Sequence, residues 1–171
     1  IEYAEDALQF EKPGPWYYEQ QELGFNYRLS DVQSALGLSQ LKKFDFFEKR
    51  RRELAYLYDN LFEGIEGVRP LSKGPYPNES AYHLYVVLID YPKFNTSRSA
   101  LMSAMRDAGL GTQVHYIPVP FQPYYRANLT EDAFGGARAY YNQALSIPLH
   151  PRMKDSDAER CFDFMRNFLA D

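Results

Sequence analysis

The sequence predicts a small two-layer α/β domain preceded by one long helix. Three observations predict it. A run from Ser30 to about residue 62 carries apolar residues at mostly helical intervals, with no proline until Pro70. From residue 63 onward, β-rich segments alternate with helix-periodic ones. The composition, 171 residues with 45% apolar and 25% charged, is that of a folded domain rather than a disordered chain.

The elements follow in chain order. Residues 1–29 read as an extended lead-in, polar and aromatic, broken by Pro13, Gly14 and Pro15. The cluster Trp16, Tyr17 and Tyr18 within it is either a plug packed under the next helix or a wall of a binding site. Ser30-Asp31-Val32-Gln33 is a capping box: the Ser30 hydroxyl accepts from the Gln33 N–H and Gln33 reaches back. Val32, Leu36, Phe44, Phe47, Leu54, Leu57 and Leu61 then mark a helix over 30–62. At 1.5 Å per residue it would be roughly 50 Å long. Gly37 and the change of apolar face near Phe44 to Phe47 are its weak points. Its cations, Lys42-Lys43 and Lys49-Arg50-Arg51-Arg52, are interleaved with Asp45, Glu48 and Glu53, the pattern of a salt-bridged or solvated face.

Residues 63–171 form the small domain. A glycine- and proline-rich loop over 63–80 holds at most a short strand at Val68 to Leu71. Tyr82 to Ile89 reads as a strand buried on both faces, ended by Pro92. Ser97 to Ala108 is a helix with Leu101, Ala104, Met105 and Ala108 on one stripe, closed by Gly109. Thr112 to Ile117 is expected as the next strand, stopped by Pro118 and Pro120. Ala133 to Leu145 reads as helix and Ser146 to Leu149 as a short extended piece. The last helix runs from about Ser156 to Ala170, with a Ser156/Glu159 capping box. Ala158, Cys161, Phe162, Met165, Phe168 and Leu169 lie on its inner face, so Cys161 reads as a buried small hydrophobe.

Charge and composition narrow the function classes. Nineteen Lys and Arg against 23 Asp and Glu leave a net charge of −4, which argues against a strongly basic nucleic-acid binder. No apolar run approaches the roughly 20 residues that span a bilayer, and no signal peptide is visible, so a cytoplasmic location is expected. A single cysteine excludes an internal disulfide. The three histidines, His83, His115 and His150, match no metal-ligand spacing, and no metal site is expected. Gly135-Gly136 lacks the remainder of a phosphate loop, and no nucleophile elbow occurs. On composition and spacing alone the chain has no self-sufficient active site. It begins with Ile1 rather than Met, and is expected to be a piece of something longer.

Two segments are unusual. Leu23-Gly24-Phe25-Asn26-Tyr27-Arg28 sets an amide and a guanidinium two apart before a capped helix start, an arrangement able to hold phosphate. The alternative is that Asn26 holds a turn and Arg28 pairs with a surface carboxylate. In Gly111-Thr112-Gln113-Val114-His115-Tyr116-Ile117-Pro118, His115 leaves a strand toward a proline-rich run containing Phe121-Gln122-Pro123-Tyr124-Tyr125-Arg126. Tyrosine-rich, histidine-bearing loops suit a sugar or nucleotide, although a lone strand histidine is commonly a satisfied core residue. His115 is expected to matter for ligand and little for folding.

At these residues a resemblance becomes specific. The stretch from Leu23 through Arg28, Ser30 and Gln33 to Leu41 resembles the signature of the DegT/DnrJ/EryC1/StrS nucleotide-sugar aminotransferases, fold-type I pyridoxal-phosphate enzymes. The similarity continues through Lys49 to Arg52, Tyr82 to Tyr85 and Leu145 to Leu149, covering about residues 16–169. Gln113 to Pro118 with Gln122 to Tyr125 most resembles the branch acting on a UDP-4-keto-6-deoxy-N-acetyl-altrosamine in pseudaminic acid synthesis. The resemblance implies that the Schiff-base lysine, the residue stacking on the cofactor and the aspartate at its pyridine nitrogen all lie upstream, in a large domain. None of the seven lysines here has that context; Lys12, the only one before the motif, is followed too closely by Pro13-Gly14.

The chain therefore looks like the C-terminal part of such an enzyme, a connecting helix and small domain, without catalytic residues of its own and inactive alone. By resemblance, Asn26 reaches across a dimer interface to the partner's cofactor phosphate and Arg28 lies near the same site. His115 and Tyr116 line the substrate pocket, and Tyr124 and Tyr125 lie beside the nucleotide-sugar; His83 is structural. The implied reaction moves an amino group from an amino acid, glutamate being the expected donor, to a 4-keto-6-deoxy nucleotide-sugar. The implied partners are those two substrates and a second subunit, held through the large domain and connecting helix. Two alternatives stand beside it: a pyridoxal-phosphate sugar dehydratase of the same family, and a non-catalytic module dimerising through the long helix.

Overall fold

The computed structural model describes residues 23–25, 27–71, 80–126 and 131–170. The Trp16–Tyr18 cluster, Lys12 and Asn26 lie outside the described residues. The chain divides into two compact units, Ile1–Gln40 and Leu41–Asp171.

In the first unit the sequence turns helical at α1 (Asp31–Leu41), where the expected capping box forms. The Gln33 N–H donates to Ser30 Oγ at 3.4 Å, and the Ser30 N–H donates to Gln33 Oε1 at 2.9 Å. No residue of α1 is buried, and Val32, Leu36, Leu38 and Leu41 are all exposed.

The single helix expected over 30–62 is instead two. Lys42 and Lys43 form a turn, and α2 spans Phe44–Phe62. Gly37 does not break α1; the interruption falls where the apolar face changes. The face that α2 buries, Leu54, Ala55, Tyr58 and Phe62, has no counterpart in α1, so no continuous stripe rewards a helix through the two adjacent lysines.

Among the described residues the second unit is built on three short strands, β1 (Val68–Pro70), β2 (Tyr85–Ile89) and β3 (Ala144–Ile147), in the order β1-β2-β3 and antiparallel throughout. Tyr85 pairs with Ile147 and Val87 with Leu145, so these side chains share one face. With Ile89 they join the core that α2, α3 (Arg98–Asp107) and α6 (Asp155–Ala170) supply. The opposite face carries Val86, Leu88, Ala144 and Ser146. It is covered as well: Leu88, Ala144 and Ser146 are buried, and α5 (Gly135–Gln143) lies against β2. Earlier in the chain than α5, Pro123–Arg126 form a single helical turn, α4.

The helix α2 is fixed to α6 by polar and aromatic contacts. Arg50 Nη2 donates to the Met153 carbonyl at 2.8 Å and to Asp155 Oδ1 at 2.7 Å, and Nη1 donates to Glu53 Oε2 at 3.2 Å. The Asp155 bond above all raises the Arg50 guanidinium from its ordinary value. The rings of Phe62 and Phe162 meet edge to face at 5.1 Å. Cys161 is buried as expected, and burial pushes its thiol up to about 11.

The strand expected from Tyr82 begins at Tyr85, and the helix expected over Ala133 to Leu145 ends at Gln143, with Ala144 and Leu145 in β3; two further differences have a local reason. The helix α6 starts at Asp155, and the capping side chain is Asp157, whose Oδ2 accepts the Lys154 N–H at 2.8 Å. Its carboxylate sits in the first turn, and the cap falls at Lys154 rather than at the expected Ser156. The strand expected over 112–117 does not form; only Gln113 pairs, with Ser146, through bonds of 3.1 and 2.8 Å. Continuing that ladder would need the N–H of Pro148 on one side, which proline lacks. On the other side it would need Ala144, whose N–H is given to Tyr140 and whose carbonyl accepts Arg98 Nη1 at 3.3 Å.

The end of α3 behaves as its glycine requires. Gly109 has φ +75°, its N–H donates to the Arg106 carbonyl at 2.9 Å, and the Leu110 N–H donates to the Met105 carbonyl at 2.8 Å. A Cβ at Gly109 meets nothing nearer than an Arg160 nitrogen at 3.9 Å, so only the backbone opposes a side chain. Gly109→Ala is expected to cost about 1–2 kcal/mol, read as a lower urea midpoint at unchanged slope.

Candidate functional site

The segment after Gln113 is held by side chains in place of a ladder. Gln113 Oε1 accepts the Val114 N–H at 2.9 Å. His115 Nδ1 lies 2.8 Å from Ser146 Oγ, so the half-buried imidazole is tied to the buried face of β3. The His115 and Tyr116 rings meet edge to face with centroids 4.8 Å apart. Tyr116 itself is 71% exposed.

The proline-rich run beyond is folded on itself. Gln122 Nε2 donates to the Ile117 carbonyl at 3.4 Å, and the Tyr125 N–H donates to the Gln122 carbonyl at 3.0 Å. The guanidinium of Arg138, on α5, lies over the Phe121 ring at 4.8 Å. Tyr124 and Tyr125 meet edge to face at 5.0 Å, and both are exposed. Tyr116, Ile117, Val119, Tyr124 and Tyr125 thus present an exposed apolar and hydroxyl-bearing surface.

The structure therefore assembles the predicted residues in pairs, His115 with Tyr116 and Tyr124 with Tyr125. Arg28 lies in the first unit, exposed, two residues before the Ser30 cap of α1. A guanidinium beside a helix N-terminus suits the donor set of a phosphate site, and it can supply only part of one. His83 is exposed and precedes β2 instead of sitting within the strand.

Two features were missed by sequence reasoning. Ser146 is a buried polar residue in β3, recognisable only as the hydroxyl in the apolar stretch Leu145-Ser146-Ile147. An open cleft of about 540 Å³ is lined by Leu110, Pro148, His150, Met153, Asp157 and Arg160, among others. Its polar groups are engaged in the fold: Asp157 caps α6, Arg160 Nη2 donates to the Ala108 carbonyl, and His150 Nδ1 accepts the Arg152 N–H at 3.3 Å. Among the described residues no group of His, Cys, Asp and Glu could hold a metal ion, and no helix is long and apolar enough to cross a membrane.

The family described as DegT/DnrJ/EryC1/StrS aminotransferases matches residues 2–166. The chain belongs to that family. Among curated DegT/DnrJ/EryC1/StrS-like proteins, it is 36% identical over 167 residues to the spore coat polysaccharide biosynthesis protein SpsC of Bacillus subtilis, covering 94% of this chain and 42% of SpsC. It is 38% identical over 154 residues to the UDP-4-amino-4,6-dideoxy-N-acetyl-beta-L-altrosamine transaminase of Campylobacter jejuni, covering 90% of this chain and 40% of that enzyme. Among solved structures, it superposes on Helicobacter pylori PseC, an aminotransferase of pseudaminic acid biosynthesis, with a TM-score of 0.76 at 28% identity. That match covers 93% of this chain and 42% of PseC. The aminotransferase TlmJ from Streptoalloteichus hindustanus gives a TM-score of 0.74 at 30% identity over 91% of this chain and 40% of TlmJ. The chain thus spans about 40% of the length of each relative it matches.

Proposed function

We propose that the whole protein is a pyridoxal-phosphate aminotransferase that moves an amino group from an amino acid, glutamate the expected donor, to a UDP-linked 4-keto-6-deoxy sugar in pseudaminic acid or related cell-surface sugar synthesis. The observation that carries this reading is the family match over residues 2–166, joined to likeness to a transaminase of that sugar class. The cofactor, when bound, supplies the electron sink of the reaction. Within this chain, Asn26 and Arg28 are assigned to its phosphate, in a site completed by a second subunit. His115 and Tyr116 are assigned to the sugar, and Tyr124 and Tyr125 to the nucleotide-sugar's flat and hydroxyl-bearing parts. The lysine that anchors the cofactor is assigned to the portion of the whole protein beyond this chain, and the chain alone is expected to be inactive. The enzyme is placed in the cytoplasm.

The test is direct assay of the full-length protein with glutamate, cofactor and the UDP-4-keto-6-deoxy-N-acetyl sugar, with the product identified by mass spectrometry. An amino-sugar product is expected. A deoxygenated sugar that has gained no amino group would identify the dehydratase reaction instead. In the same protein, Asn26→Ala is expected to weaken cofactor retention about 10- to 150-fold, the size of one charge-assisted hydrogen bond. Unchanged affinity by titration would return Asn26 to a turn-forming role.

A further inference from the structure

We propose that Ser146 is a positioning residue, which holds His115 in the tautomer whose Nε2 carries the proton and so makes the ring a hydrogen-bond donor to an acceptor oxygen of the ligand. This rests on the assignment of His115 to the sugar nucleotide, and deepens it.

Ser146 has one polar group left to bond with. It is 6% exposed, on the β3 face opposite the main core. Its backbone is committed, because its N–H donates to the Gln113 carbonyl at 2.8 Å and its carbonyl accepts the Gln113 N–H at 3.1 Å. The hydroxyl is the residue's remaining polar group. Its one hydrogen-bond partner among the described residues is His115 Nδ1, at 2.8 Å.

A buried hydroxyl proton without an acceptor costs stability, and Nδ1 is the acceptor within reach. Satisfying the Ser146 O–H therefore makes Nδ1 the unprotonated nitrogen. In a neutral imidazole the proton then sits on Nε2. The opposite tautomer would point an N–H at the serine oxygen and leave the serine proton unpaired.

The geometry makes this coupling hard to avoid. Gln113 and His115 are two residues apart, and the backbone pair of Gln113 with Ser146 sets the height at which His115 meets the same serine. One residue of β3 thus fixes both the path of the chain and the identity of the ring nitrogen left available. No partner for Nε2 is found among the described residues, and the ring meets that of the exposed Tyr116. A donor there fits a carbonyl, hydroxyl or phosphate oxygen, all present in a keto-sugar nucleotide. It does not fit an ammonium or guanidinium group.

The experiment has a spectroscopic and a kinetic arm. Long-range proton–nitrogen correlation spectra of the whole chain, with His115 assigned by its loss in His115→Gln, are expected to show an unprotonated Nδ1 and a protonated Nε2. Ser146→Ala is expected to turn that single tautomer into a mixture, and Ser146→Thr to restore it. In the full-length enzyme, Ser146→Ala is expected to raise KM for the keto-sugar about 3- to 10-fold while the half-reaction with the amino-acid donor keeps its rate, with rescue by Ser146→Thr. A protonated Nδ1 in the unsubstituted protein overturns the tautomer assignment without any variant having to fold. A single unchanged tautomer in Ser146→Ala overturns the role of Ser146. Transamination by the unsubstituted enzyme with an unchanged KM in Ser146→Ala overturns the donor role alone. Absence of transamination in the unsubstituted enzyme overturns the underlying functional reading.

Discussion

His115→Ala in the full-length enzyme is expected to lower kcat/KM for the keto-sugar about 10- to 150-fold, as for a lost hydrogen bond to a charged ligand group. The half-reaction with the amino-acid donor is expected to suffer much less. A purely ligand-facing histidine would be removable without cost to folding, which is what the strand-end position in the sequence suggested. The structure changes that expectation. His115 Nδ1 is the partner of the buried Ser146 hydroxyl, and deleting the ring leaves that hydroxyl unpaired. A loss of about 1–3 kcal/mol in stability is therefore expected together with the kinetic loss. Measuring both on one variant separates the roles. A variant that melts lower yet turns over the sugar normally would leave His115 with its structural role only.

Tyr58→Ala is expected to have the largest effect on stability. Tyr58 is completely buried on α2, its ring 4.9 Å from that of Tyr85 and 6.2 Å from that of Phe62. Its hydroxyl donates to the Pro148 carbonyl at 2.9 Å, which ties α2 to the chain just after β3. Burial raises its phenol well above the ordinary tyrosine value, so it stays a neutral donor across the working range. Removing a large buried aromatic costs about 3–5 kcal/mol, and here a carbonyl also loses its donor. Tyr58→Phe, which keeps the ring, is expected to cost about 1–3 kcal/mol. Urea midpoints of the two variants should fall in that order. Equal midpoints for Ala and Phe would mean that the ring contributes nothing beyond its hydroxyl.

The parts of the fold legible in the sequence are those settled within a few residues. Ser97 Oγ accepts the Ala100 N–H at 3.2 Å, as expected where the residue opens a helix. Gly109 supplies the positive φ that a helix end of this kind needs. The spacing of Ala158, Cys161, Phe162, Met165 and Leu169 places all five in the core. What was not legible depends on distant partners. Thr112 to Ile117 has the composition of a strand, yet the ladder stops at Gln113: Ala144, which would face His115, gives its N–H to Tyr140, and its carbonyl accepts Arg98 Nη1. The break at Lys42–Lys43 needs no proline or glycine; it reflects which helix face finds a core. Ser146 carries no local signal of its importance, because its meaning lies in His115, which reaches it only in the folded chain.

The site is divided in the same way. The motif from Leu23 to Arg28 with the Ser30 cap was readable as a phosphate-suited stretch, and the cap is formed as expected. That His115 and Tyr116 act as one ring pair anchored to β3 follows from a contact between residues thirty-one apart, which no spacing rule announces.

Under the proposed function, the lysine that anchors pyridoxal phosphate lies outside residues 1–171. The most direct measurement is to load the full-length protein with pyridoxal phosphate, reduce it with borohydride and map the modified residue by peptide mass spectrometry. One stoichiometrically modified lysine is expected, in a peptide outside this chain. Modification of one of the seven lysines within residues 1–171, or of no lysine at all, would contradict it.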